Sequence, residues 1–304
     1  MAAATTRWKD TTVKSLEQAL TKLTTHVKDD DQAHKIVWKN WSQDKVFEQN
    51  QKIKLNGDEV EYNMIRFNFD QFTMGTVVKK EGFIIVYQDQ DVPGVNYIIN
   101  QNTIALKLLR KIMGYTTGKG QIEKNVIELS NDFFTWLIYR VYESNSNIEA
   151  SPESKSLSLD TIKGFKGATD DMQTKVSANG ETVMNIISTL SFLLESRNLS
   201  QVKIDLIYTE HRNISLQLNQ GTITTFFDDY IGEFEHEENP ENTIAKLYLT
   251  TYLELVPYLT QEYFSDKEND LWNATVHKSF LKSVAAKLTE KVNEKLQSIQ
   301  TEDD

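Results

Sequence analysis

The sequence predicts an α+β protein with two mixed domains, each containing an antiparallel β-meander packed by helices. Short β-branched and aromatic runs follow one another across polar turns, which is typical of antiparallel strands. Longer segments carry an apolar residue every three or four positions, which is typical of amphipathic helices. A stretch rich in Ser, Asn and Glu at 143–158 separates the two halves. We therefore expect an N-terminal domain over 1–145 and a C-terminal domain over 155–304.

The N-terminal domain is expected to begin with a helix and to continue as a meander. The first helix is predicted from one apolar face, formed by Val13, Leu16, Leu20, Leu23 and Val27. A strand-like run on each side of Asn56-Gly57 predicts a tight hairpin, because this pair tolerates positive φ. The next strands are expected to be separated by turns at Lys80-Glu81-Gly82 and at Asp91-Val92-Pro93-Gly94.

Two helices are predicted to close this domain, over 102–113 and over 131–144. Gly114 is the expected left-handed residue after the first helix, and Ser130 or Asn131 is placed to cap the second. Aromatic and aliphatic residues surround most of the second helix, so we expect it to be buried.

The C-terminal domain is predicted to combine a β-meander with helices in the same way, but its sequence is different. Strands are expected at 156–167 and 172–181, and a buried helix is expected over 181–198. A meander follows, and then two long C-terminal helices, the first of them interrupted or bent by Pro257. The meander strands are predicted at 201–208, 213–218 and 222–227, and the two helices at 242–263 and 271–298. An apolar stripe repeats every fourth residue from Val276 to Leu296, and we expect it to pack on its own domain; the alternative is a dimer zipper.

Composition and charge limit the possible classes of protein. The chain has 304 residues and no cysteine, which excludes disulfides and thiolate metal sites and fits a reducing compartment. No apolar run has the length of a signal-peptide core or a membrane span, so we expect a cytoplasmic protein without a membrane partner. Residues 1–145 carry 19 Lys+Arg against 18 Asp+Glu, whereas residues 146–304 carry 14 against 26. The acidic surplus lies in the second half, so the two halves are expected to present different surfaces.

A segment at 114–121 contains glycine and lysine residues in an order similar to that of a phosphate-binding loop. A Walker A loop needs four residues between its glycines and a Ser or Thr after its lysine. Here only three residues lie between Gly114 and Gly118, Lys119 is followed by Gly120, and the segment follows a predicted helix. The sequence therefore does not predict a nucleotide-binding P-loop.

A basic patch surrounds the same segment and is the main candidate binding site. Lys107, Arg110 and Lys111 are three and four residues apart on one helical face, and Lys119 and Lys124 follow. Such cations can contact the phosphates of a nucleic acid, and the nearby Tyr115 could stack on a base. The alternatives are a solvated helix face and a docking surface for the acidic half of this chain or of a partner.

Catalytic and metal-binding signatures are weak, and we expect no cofactor and no metal site. No two of the five histidines (His26, His34, His211, His236 and His277) have the i, i+4 spacing of helical metal ligands. The acidic run 233–241 is expected to be a solvated loop, and Glu210, His211 and Arg212 are expected at a hairpin turn. A divalent-metal site for a nuclease would draw on Asp89, Asp91, Asp205 or Glu210.

Three hypotheses for function follow from these patterns. The first is a non-enzymatic interaction or regulatory protein, with a protein partner or a second copy of itself, in a bacterial defence or mobile-element system. The second is a nucleic-acid-binding protein that uses the basic helix and loop at 107–124 of the N-terminal domain. The third is a metal-dependent nuclease or phosphodiesterase.

Overall fold

The computed structural model describes residues 2–25, 36–73, 75–89, 93–115, 121–149, 155–169, 175–179 and 187–302. It contains both helices and strands, with a large antiparallel sheet, as predicted. The chain forms two compact units. Unit 1 comprises Met1–Ile127, Thr222–Thr225 and Phe234–Glu254, and unit 2 comprises Glu128–Gly221, Phe226–Glu233 and Leu255–Asp304.

The strands and helices have the following bounds. The strands are β1 Ala4–Asp10, β2 Ile36–Lys45, β3 Gln51–Leu55, β4 Asp58–Thr73, β5 Thr76–Asp89, β6 Val95–Ile99, β7 Ile122–Lys124, β8 Asn147–Glu149, β9 Ser156–Thr169, β10 Lys175–Asn179, β11 Ser196–Tyr208, β12 His211–Asn219 and β13 Ile223–Gly232. The helices are α1 Leu16–Thr24, α2 Ala105–Ile112, α3 Asn131–Tyr142, α4 Ile187–Glu195, α5 Pro240–Thr250, α6 Val256–Glu268 and α7 Ala274–Glu302.

The sheet of unit 1 has the strand order β2-β4-β5-β6-β1, and every neighbouring pair in it is antiparallel. β3 pairs with β4, and β7 pairs with β1. The β3–β4 hairpin turns at Asn56 and Gly57, whose φ angles are 53° and 85°. The predicted Asn-Gly turn is therefore confirmed, with both central residues at positive φ.

Alternating side chains divide the residues of the unit 1 sheet between two apolar layers. Ile65 of β4 and Ile84 of β5 belong to the layer that α1 and α2 cover, where Leu20 and Leu109 are also buried. On the opposite face, the ring of Phe83 lies 5.5 Å from that of Tyr248 in α5. The predicted apolar face of the first helix is confirmed from Leu16 to Leu23; Val13 is buried but precedes the helix, and Val27 lies outside the described residues.

The turn predicted at Lys80-Glu81-Gly82 is wrong, because β5 runs without interruption through these residues. Glycine is required at position 82 for a different, steric reason. A Cβ at this position would lie 2.5 Å from Oδ1 of Asn100 and would overlap the ring of Phe67. The chain reverses earlier, since Thr73 and Thr76 are the last paired residues of the β4–β5 ladder.

The sheet of unit 2 is built around the long pairing of β9 with β11. β12 pairs with β11. β10 and the short β8 both pair with the edge of β9 that faces away from β11, β8 near Leu157. α3 contributes Phe133, whose ring lies 5.5 Å from that of Tyr263 in α6. α4 contributes Phe192, which stacks on Phe165 of β9 at 5.5 Å. Aromatic side chains thus form much of the packing between these helices and strands.

Two predicted helices of the second half have different bounds in the structure. The helix expected over 181–198 is seen as α4, and β11 begins directly after it at Ser196, while residues 181–186 lie outside the described ones. The helix expected over 242–263 is divided into α5 and α6 by a π-helical turn at Thr251–Leu255. Pro257 follows this π-helical turn by two residues, so the irregular turn lies where the chain has a residue without a backbone N–H.

Candidate functional site

The basic face of α2 points away from the core because the apolar face of this helix is buried in it. Its buried residues are Ala105, Leu108, Leu109 and Ile112. Lys107 is exposed, and Arg110 and Lys111 are partly exposed, as the predicted i, i+3 and i+4 spacing requires. The helix sequence "ALKLLRKI" contains no acidic residue. α2 therefore presents three positive charges from a backbone fixed on the core of unit 1.

The end of α2 has the geometry of a Schellman motif. Gly114 has a φ of 72°, and its N–H donates to the carbonyl of Lys111 at 3.1 Å. The N–H of Tyr115 donates to the carbonyl of Arg110 at 2.8 Å. These two bonds satisfy carbonyls that the helix leaves without a partner, so the predicted role of Gly114 is confirmed. Arg110 and Lys111 lie in the last turn, where the helix dipole favours positive charge.

Tyr115 is held by polar contacts within unit 1. Its hydroxyl donates to Oδ2 of Asp10 at 2.6 Å and lies 2.9 Å from the hydroxyl of Thr12. Nζ of Lys22 lies 4.6 Å from the centre of the tyrosine ring. Burial, together with the hydrogen bond to Asp10, raises the pKa of Tyr115 to about 12. One end of the side chain is thus fixed and a lysine lies over the ring, so the geometry does not support base stacking by Tyr115.

Asp10 connects this tyrosine to the start of the first helix. The carboxylate is buried, and its Oδ1 accepts from the backbone N–H of Thr12 at 2.8 Å and of Val13 at 3.2 Å. The hydroxyl of Thr12 donates to the same oxygen at 2.8 Å. A buried carboxylate with this many donors fixes the backbone around it, so the cluster of Asp10, Thr12 and Tyr115 has a structural role.

The remaining predicted site residues are arranged as follows. Nζ of Lys111 lies 5.8 Å from the ring centre of Trp41, which is part of the unit 1 core. Lys124 is exposed on β7, opposite Trp8 of β1. Lys119 lies outside the described residues. Sequence analysis missed Lys22, because its position over Tyr115 depends on a contact between residues that are far apart in the chain.

The candidate catalytic residues do not converge where the structure describes them. Asp205 is buried in β11, where it accepts from the Ser215 hydroxyl and forms an ion pair with Lys163 at 3.1 Å. His211 was expected in a turn but belongs to β12, where it is buried with Nδ1 2.8 Å from the Tyr230 hydroxyl. Glu210 is exposed beside it. These contacts give Asp205 and His211 structural partners.

Asp89 ends β5, and Asp91 lies outside the described residues. Over the ranges that the structure describes, no three His, Asp or Glu side chains are grouped closely enough to hold a metal ion.

The acidic run 233–241 was expected to be a solvated loop. Glu233, Glu235 and Glu238 are exposed as expected, but the run is not a loop throughout. Glu233–His236 form a short 3₁₀ helix, and α5 begins at Pro240. Glu237 accepts from Lys246 and, at 2.7 Å, from Asn242. Burial alone would raise the pKa of Glu237, but these hydrogen bonds outweigh it and lower the pKa. Part of the acidic run therefore anchors α5.

No protein-family model matches this chain, and no curated protein matches it significantly in sequence. Among the described residues, no helix is both long enough and apolar enough to span a lipid bilayer.

Proposed function

We propose that this protein is a non-enzymatic interaction protein that contacts an anionic partner through the basic face of α2. The observation that carries the proposal is that Lys107 is exposed, and Arg110 and Lys111 are partly exposed, on one face of a helix without acidic residues. The buried side of α2 and the Schellman motif at its end hold these charges on a rigid support, which limits the conformational entropy lost on binding. In this proposal, 1–145 and 155–304 are separate domains, and the second ends in two long helices.

A nucleic acid is the second candidate, and the same face of α2 favours it. Lysine and arginine side chains on one helical face can each neutralise a phosphate and release a counterion. Three such contacts predict a slope of about −3 for the logarithm of affinity against the logarithm of salt on duplex DNA. An acidic protein surface would meet the same three charges without the regular charge spacing of a nucleic-acid backbone.

The test is fluorescence anisotropy with labelled single- and double-stranded DNA and RNA across a salt series, using the full-length protein. The first variant carries Lys107→Gln, Arg110→Gln and Lys111→Gln. The matched control carries Lys45→Gln, Lys54→Gln and Lys79→Gln, which removes the same charge from exposed positions on strands. We expect the α2 variant to bind at least tenfold more weakly with a shallower salt slope, and the control to bind as the wild type does.

Two other results of the anisotropy experiment would change this interpretation. Equal losses in both variants would show that binding depends on net charge and not on α2. No binding at low salt would remove the nucleic-acid candidate and leave a protein partner. That partner is then sought with a photo-crosslinking residue at position 107, and with the same residue at position 45 as the control.

The proposal that the protein is not an enzyme has its own test. The chain is incubated with Mg²⁺ or Mn²⁺ and labelled nucleic acids or nucleotides. Cleavage that disappears in Glu210→Gln or Asp89→Asn would establish the metal-dependent nuclease or phosphodiesterase instead.

The biological setting we propose is the cytoplasm, in a bacterial defence or mobile-element system. The lack of cysteine fits a reducing compartment. Cell fractionation tests the location, and sedimentation of the purified chain tests whether the partner is a second copy.

A further inference from the structure

The apolar stripe of α7 is buried at one end and exposed at the other. Phe280 and Val284 belong to the core of unit 2, and Leu288 is partly buried. Val292 and Leu296 continue the same i, i+4 column but are 43% and 55% exposed. The expectation that the stripe packs on its own domain therefore holds for its first half only. Large apolar side chains in a continuous row on a solvent-exposed helix mark a binding surface.

Charged residues are arranged regularly around this exposed segment. Lys291 and Lys295 each precede a stripe residue by one position, which places them on one flank, about 100° around the helix axis. On the other flank, Asn293 is uncharged and follows Val292. Glu290 and Glu294 lie about 200° from the stripe, on the opposite face of the helix. The apolar surface thus has a positive border on one side and a neutral border on the other.

We propose that the Leu288–Leu296 segment of α7 binds an amphipathic helix of another protein, one whose apolar stripe is bordered by Asp or Glu. The apolar stripes would pack together, and the acidic border would face Lys291 and Lys295. Charges that flank an apolar seam determine the choice of partner in helix pairs. This proposal is independent of the α2 surface.

A second copy of the chain is a poorer match for the same surface. If two copies of α7 paired antiparallel about a twofold axis, the lysine borders would face each other and repel. If they paired in parallel, the lysine border of each copy would face the neutral border of the other. Neither arrangement gives the lysines an acidic partner. The segment is also short, since the eight helical steps from Leu288 to Leu296 rise about 12 Å, so the interaction is expected to be transient.

The experiment is a selection from a displayed library of single helices, with the full-length protein as the target. Every helix in the library has a fixed leucine stripe, and the flanking positions vary among Glu, Gln and Lys. We expect Glu to be enriched at the flank at least tenfold over Lys after selection on the wild type. With Lys291→Glu and Lys295→Glu the enrichment should reverse toward Lys. The matched control, Glu290→Gln with Glu294→Gln on the opposite face, should enrich the same helices as the wild type.

Three outcomes would overturn the proposal. The first is a flank preference that does not change in the charge-reversal variant. The second is undiminished enrichment after Val292→Asn with Leu296→Asn, both of which alter exposed side chains and leave the buried part of the stripe intact. The third is a dimer in sedimentation that dissociates in that same asparagine variant, since the surface would then be occupied by a second copy. Helices with Glu flanks that bind the wild type but not the asparagine variant would support the proposal.

Discussion

Arg140 of α3 and Asp266 of α6 form an ion pair in which both side chains are almost entirely buried. Nη1 of Arg140 donates to Oδ2 of Asp266 at 2.8 Å, and Nε1 of Trp136 donates to the same oxygen at 2.8 Å. The guanidinium also donates to the carbonyls of Asn145 at 2.6 Å and Asn147 at 2.7 Å. One charged pair therefore joins α3, α6 and the start of β8 in unit 2.

Removal of one partner of this pair should be strongly destabilising. In Asp266→Ala, the Trp136 N–H loses its acceptor and the buried Arg140 charge keeps only Glu262, at 3.3 Å, as an anionic partner, so we expect a loss of about 3 kcal/mol in the free energy of unfolding. Urea denaturation measures this free energy of unfolding. The control is Glu59→Gln, which breaks the exposed Lys52–Glu59 pair and should leave the unfolding midpoint nearly unchanged. A midpoint for Asp266→Ala that matches this control would show that the buried pair does not stabilise unit 2.

Gly82 should tolerate no side chain, although it lies in a regular strand. We expect Gly82→Ala to lower the free energy of unfolding by about 1–3 kcal/mol, because the new Cβ overlaps the Phe67 ring and crowds Asn100. Phe67→Leu removes the ring, so the double variant should lose less stability than the sum of the two single variants. Strictly additive losses in urea denaturation would show that the two side chains do not clash.

Asn56-Gly57 and Gly82 show which parts of the fold the sequence can predict. The hairpin at Asn56-Gly57 was predictable because a tight turn depends on the φ preferences of its own residues. Gly82 was assigned to a turn for the same local reason, yet its role is to make room for Phe67 on the neighbouring strand. A close approach between strands depends on the tertiary structure, which turn propensities do not contain.

The same distinction applies to the candidate sites. The common face of Lys107, Arg110 and Lys111 could be predicted, because helical periodicity fixes it once the apolar side is known. The partners of Tyr115 could not, since Asp10 lies 105 residues earlier in the chain. His211 was misplaced because a turn ending one residue earlier puts it inside β12, where its side chain is buried.

The hydroxyl of Tyr115 should matter for stability and not for binding. In Tyr115→Phe, the buried Asp10 carboxylate loses a donor at 2.6 Å, so we expect a loss of about 1.5–3 kcal/mol in the free energy of unfolding. Affinity for nucleic acid, measured by anisotropy, should be unchanged in this variant and in Tyr115→Leu. A normal stability for Tyr115→Phe, together with weaker binding by Tyr115→Leu, would show that the ring stacks on a base.

Asp132 should make the stability of unit 2 sensitive to acid. Burial alone would raise the pKa of this carboxylate, but hydrogen bonds donated by Tyr263, Trp272 and Lys267 outweigh burial and hold the pKa below its ordinary value of 3.8. The Tyr263 hydroxyl donates to Oδ2 at 2.6 Å, and Nε1 of Trp272 donates to Oδ1 at 3.2 Å. Because the pKa is lower in the folded state, the stabilisation is complete above pH 3.8 and is lost as the pH falls through the folded-state pKa.

We therefore expect the wild type to lose more stability than Asp132→Asn when the pH is lowered from about 5 to about 3. The variant should be less stable at neutral pH, and its free energy of unfolding should approach that of the wild type as Asp132 becomes protonated. Tyr263→Phe removes the hydrogen bond that Tyr263 donates to Asp132, so it should bring the folded-state pKa of Asp132 closer to 3.8. The stability of this variant should therefore fall less than that of the wild type over the same pH range. Guanidinium denaturation at a series of pH values measures all three proteins. Parallel curves for the wild type and Asp132→Asn would show that the Asp132 pKa is the same in the folded and unfolded states.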